Sequence, residues 1–112
     1  MPNTQPLNVT PSISFTAVEN EFGNIDLFGS AVGMANGTTV NFLLTDSFGN
    51  SKTATAVVTG GEFNLVNIWS GMFGAGPLDI LASAAGVSAV GSLELSGNHT
   101  QAPVTLTEYV LD

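Results

Sequence analysis

The chain has no cysteine, a single basic residue other than histidine (Lys52), one histidine, one tryptophan and one tyrosine. Without cysteine there is no disulfide framework, and the usual zinc sites of Cys and His have only His99 to draw on. Without a basic patch, nucleic acids and anionic lipid surfaces are excluded as partners, because both repel a chain of net charge −8. No apolar run approaches the roughly 20 residues that a bilayer-spanning helix needs. Catalysis is equally short of parts. His99 stands in a Gly97-Asn98-His99-Thr100 loop pattern with nothing that marks a nucleophile or an orienting acid. Paired-carboxylate sugar hydrolysis would need an aromatic-rich cleft that so short a chain does not supply. The chain is not expected to be an enzyme.

What is present in excess is negative charge. Nine carboxylates, Glu19, Glu21, Asp26, Asp46, Glu62, Asp79, Glu94, Glu108 and Asp112, face one lysine, so salt bridges satisfy few of them. They either sit in water or share an oxygen-seeking cation such as calcium. Only 9% of the chain is charged while 44% is hydrophobic, with seven Phe, which marks a packed core and excludes an acidic disordered tail. At 112 residues one domain is expected.

The patterning is that of an all-β protein, with turn signals every 8–12 residues or so, the spacing of a β-sandwich. Seven main strands are read: 13–18, 25–32, 39–45, 53–58, 63–68, 78–84 and 104–111. Their alternation is explicit in Ile13, Phe15 and Ala17 against Ser14 and Thr16, and in Val40, Phe42 and Leu44. Asn36-Gly37 is the strongest tight-turn dipeptide, since both residues accept positive φ. Residues 90–95 read as a short extra strand or hairpin, and the slip of phase near Glu108 as a bulge or a strand leaving the core. Residues 1–12, rich in Pro, Asn and Thr, read as a linker or first edge segment ahead of one domain over 13–112.

Several pieces, in order, carry a likeness. They are Gly29-Ser30-Ala31, the run Gly37 to Asp46 (GTTVNFLLTD), Phe48-Gly49-Asn50, Thr53 to Gly61 (TATAVVTGG) with Phe63, the 78–84 strand, and the terminal Thr105 to Asp112. Over about three quarters of the chain this resembles the bacterial immunoglobulin-like repeats of giant Gram-negative surface adhesins. The resemblance implies an immunoglobulin-like Greek-key β-sandwich of about seven strands, acting outside the cell as a spacer between neighbouring repeats of one polypeptide. It also implies calcium in loops and at module junctions, where it stiffens the array; as an isolated domain the chain is expected to be monomeric. Two departures stand out. The family's Asp-x-x-Gly-Asn turn after the sixth strand is replaced by Ala84-Ala85-Gly86-Val87-Ser88-Ala89, without a carboxylate, and its aromatic after the double glycine is Phe63 instead of Trp.

The candidate metal ligands fall in three groups. Glu19, Glu21 and Asp26 with Asn20 form the densest cluster, readable as a calcium loop or as a solvated turn. Asp46 and Asn50 bracket a loop at a spacing that suits metal ligation or ordinary turn capping, capping being the leading reading. Glu108 and Asp112 stand where the resemblance puts junction residues. Trp69, Met72 and Phe73 lie in a glycine-rich loop that either exposes a patch for a sugar or protein, through Trp69 and Phe73, or folds over the open end of the sandwich as a plug, the leading reading. A ligand-binding module and a phage decoration domain remain the alternatives to an adhesin spacer.

Overall fold

The computed structural model describes residues 10–97. They form seven strands: β1 (Ser12–Glu19), β2 (Ile25–Val32), β3 (Thr39–Asp46), β4 (Ser51–Val57), β5 (Glu62–Ile68), β6 (Gly76–Ala84) and β7 (Val87–Leu95). A three-stranded sheet, β1-β2-β5, faces a four-stranded one, β4-β3-β6-β7, with every pairing antiparallel. The chain changes sheet between β2 and β3, β4 and β5, and β5 and β6, which makes the assembly an immunoglobulin-like Greek-key sandwich.

The strands exist because their apolar residues fall on alternate positions. Val40, Phe42 and Leu44 of β3 and Leu78, Ile80, Ala82 and Ala84 of β6 are buried, as are Ile25, Leu27 and Ala31 of β2. Phe42 lies at the centre, its ring 6.0 Å from Phe15 edge-to-face and 5.7 Å from Phe63. Two inward glycines make room for this aromatic row. A Cβ at Gly29 would collide with the Phe63 ring and the Ser14 carbonyl, and one at Gly91 would sit within 2.8 Å of the Phe15 ring.

The seventh strand departs from expectation. It is Val87–Leu95, longer than the 90–95 segment read as a minor extra, and it pairs with β6 along its whole length. Ala85 and Gly86, both at positive φ, form the two-residue turn between them. Residues 104–111, read as the last main strand, lie outside the described residues.

The strand directions define two poles. β1 starts at the entry pole, beside the 33–38 loop, the 58–61 turn and the Ala85-Gly86 turn. β7 ends at the opposite, exit pole, beside the 20–24 turn, the β3–β4 turn and the 69–75 loop.

Candidate functional site

The described side chains singled out from the sequence gather at the exit pole, where three loops are joined by side-chain hydrogen bonds. Asp46, the last residue of β3, is 5% exposed. Its Oδ1 accepts the amides of Phe48 (2.9 Å) and Asn50 (2.8 Å), and its Oδ2 accepts Asn50 Nδ2 (2.9 Å) and the Gly74 amide (2.8 Å). The first three bonds cap the β3–β4 turn; the fourth fastens that turn to the loop between β5 and β6. Burial pushes the carboxyl's pKa up, but the bonds from Asn50, Gly74 and Phe48 together outweigh it and lower the value from 3.8 to about 2.

Asp26 has a different task. Between Ile25↔Ile68 and Leu27↔Leu65 the register slips, so two β5 residues, Val66 and Asn67, lie opposite Asp26 alone. This is a β-bulge, and Asn67 adopts a positive φ of 57°. Asp26 Oδ1 accepts the Asn67 amide at 2.8 Å and Asn20 Nδ2 at 3.0 Å, while Asn20 Nδ2 also donates to Asn67 Oδ1 at 2.6 Å. Asn20 Oδ1 in turn accepts the amides of Phe22 and Asn24, fixing the β1–β2 turn.

The third tie is Ser70, 2% exposed, whose Oγ donates to the Gly23 carbonyl at 2.5 Å and whose amide donates to Asn24 Oδ1 at 3.1 Å. Glu19 closes the seam between β1 and β7, accepting the Ser96 amide at 3.1 Å and the Ser96 hydroxyl at 2.7 Å. Glu21 is exposed on the turn.

These contacts bear on the expected cation. Asp26, Asp46 and Glu19 point their oxygens at N–H and O–H donors, and Asn50 approaches Asp46 as a donor through its amide nitrogen. Calcium needs six to eight oxygens converging at about 2.3–2.6 Å, and among the described residues no three acidic or histidine side chains converge on such a point. Glu108 and Asp112 lie outside the described residues.

The aromatic loop divides. Phe73 is buried in the core at 5% exposure, with Met72 packed against that core, so Phe73 is the plug and offers no surface to a ligand. Trp69 is 51% exposed, so it does not share the plug's role. Phe48, at the tip of the β3–β4 turn, is 70% exposed and was not singled out by its sequence context. A Cβ at Gly71 would overlap the Trp69 indole, and one at Gly74 would overlap the Phe48 ring. Trp69 thus packs on a glycine of its own loop, and Phe48 on a glycine of the neighbouring 69–75 loop.

No protein-family model matches the chain, and no curated protein matches it. A solved structure, described as a tetra-tandem repeat in the extending region of a large adhesion protein, is similar to it with a TM-score of 0.67 and 24% identity. The match covers 77% of this chain and 25% of that one, so the chain spans about a quarter of the length of the structure it matches. This chain has the fold of an adhesion-protein extending-region repeat.

Proposed function

We propose that the chain is a non-catalytic spacer module of a bacterial cell-surface adhesin, one of several copies joined in line. The observation that carries this reading is the placement of β1's start and β7's end at opposite poles. Copies linked from the end of β7 to the start of the next β1 add their lengths, whereas links at one pole would fold the array back on itself. The match to a quarter of a four-repeat chain supports the same reading, since one repeat in four is the share a single module would cover.

The mechanism is mechanical. A sandwich whose exit-pole loops are bonded to one another passes tension from β7 into the sheets without first loosening a turn. Calcium, in this proposal, belongs at the junction between copies, through Glu108 and Asp112, where a cation would neutralise acids on the outgoing chain and stabilise the fold by RT ln(1+[L]/Kd). Thermal melting with calcium and with chelator tests that part: Glu108→Gln with Asp112→Asn abolishes any calcium-dependent rise of the midpoint, and Glu21→Gln leaves it in place. A rise that survives the double change removes calcium from the junction.

The spacer role itself is tested by small-angle scattering on one, two and four joined copies. The maximum dimension is expected to grow in proportion to copy number; growth as its square root, the behaviour of beads on a flexible linker, contradicts the proposal.

A further inference from the structure

The exposed aromatics of the exit pole are built unlike the rest of the surface. Trp69 and Phe48 each keep one face against a glycine backbone, at Gly71 and Gly74, and turn the other outward. The loop beneath them is held by the Gly74 bond to Asp46, the Ser70 bonds to Gly23 and Asn24, and the buried Phe73. Rings ordered in advance lose little conformational entropy when they are covered, which is the property of an interface anchor.

Charge is divided unequally between the poles. Seven of the nine carboxylates lie among the described residues, and six of those, Glu19, Glu21, Asp26, Asp46, Asp79 and Glu94, belong to the exit half. Glu62 alone of the seven belongs to the entry half. The entry-pole turns, 33–38, 59–61 and 85–86, contain only Gly, Ala, Met, Asn and Thr. Two exit poles brought together would set like charges against each other, the exposed Glu21 among them, while an exit pole against an entry pole meets uncharged residues. In the proposed array a following copy is joined to the chain leaving the exit pole, which raises its effective concentration there.

We infer that Phe48 and Trp69 form an aromatic seat on which the entry pole of a second copy of this module docks head to tail. The inference rests on the spacer reading and adds to it the contact that aligns consecutive copies. Bulky rings on one side and glycine- and alanine-rich turns on the other allow close approach.

The experiment uses two copies joined in line, with Trp69→Phe in the second copy so that the first copy's Trp69 is the only indole. Acrylamide quenching of that indole is expected to fall at least about two-fold relative to the single chain, because its one open face becomes covered. Phe48→Ala in the first copy is expected to restore most of the quenching, and an unchanged melting midpoint of the single Phe48→Ala chain shows that the fold is kept. Equal quenching in the single and joined chains overturns the seat. The scattering profile separates the two levels of the proposal. A straight pair with an unprotected Trp69 retains the spacer and rejects the seat, whereas a flexibly hinged pair rejects both. Protection of Trp69 in the single chain by a glycan mixture, without protection in the joined pair, also rejects it in favour of a carbohydrate site.

Discussion

The two poles of the sandwich turn the chain between strands with similar glycines but tie those turns together differently. At the exit pole, side chains join the turns to one another: Asp46 to Gly74, Asn20 and Asp26 to Asn67, Asn24 to Ser70, Glu19 to Ser96. Both poles use glycines at positive φ, Gly23, Gly49 and Gly76 at the exit and Gly33, Gly37, Gly60, Gly61 and Gly86 at the entry, but the entry pole has the bond from the Gly60 amide to Asn36 Oδ1 at 2.8 Å as its side-chain tie between turns. Glycine lets a turn form; a buried carboxylate that accepts several amides makes turns move together. Disturbing the exit pole should therefore cost far more than disturbing the entry pole.

The largest effect is expected for Asp46→Ala, which strands the amides of Phe48, Asn50 and Gly74 and cuts the turn from the loop. The melting midpoint should fall by roughly 10 °C, and differential scanning calorimetry measures it. The same residue sets an acid dependence. Its folded pKa of about 2 lies below the ordinary 3.8, so its stabilisation is fully present above about pH 4 and is lost as the pH falls toward 2. A chain with Asp46→Asn should lose less midpoint over that window than the natural chain; equal losses would mean that the bonded carboxylate does not govern it.

Asp26→Ala ranks next. It leaves the Asn67 amide at the bulge without its acceptor and should cost about 1–2 kcal/mol in urea unfolding, with an unchanged denaturant slope. At the entry pole, Asn36→Ala removes one exposed bond to Gly60 and should cost at most about 0.5 kcal/mol. If Asn36→Ala proved as damaging as Asp26→Ala, the contrast between the poles would be lost.

Much of the sandwich was legible because β1, β2, β3, β4 and β6 keep a period of two, while β5 loses it only at its bulge. β7 was obscured by its own packing. Its inward residues are Val87, Ala89, Gly91, Leu93 and Leu95, and the glycine that admits the Phe15 ring breaks the apolar alternation in the middle. Its turn, Ala85-Gly86, also lacks the Asn or Asp that usually announces positive φ in pairs.

The site was legible in part for the same kind of reason. The Asp46-to-Asn50 spacing announces a capped turn, since both partners lie within one loop. The Gly74 bond does not, because it joins residues 28 apart and depends on how β3 and β6 pair. Asp26 stands beside Glu19 and Glu21 in sequence, readable as a calcium loop or as a solvated turn, and nothing local announces its bond to a bulged residue 41 positions away. In the 69–75 loop no periodicity separates the ring that enters the core from the ring that stays out; Phe73 and Trp69 are sorted by the sheets beneath them and by Gly71.

Amide hydrogen exchange on the single chain tests most directly the claim that the exit-pole loops form one bonded unit around Asp46. The Gly74 and Asn50 amides are expected to exchange at least about ten-fold more slowly than that of Gly60 at the entry pole, and to lose that protection together in Asp46→Ala. Exchange of Gly74 and Asn50 as fast as Gly60 in the natural chain would contradict it.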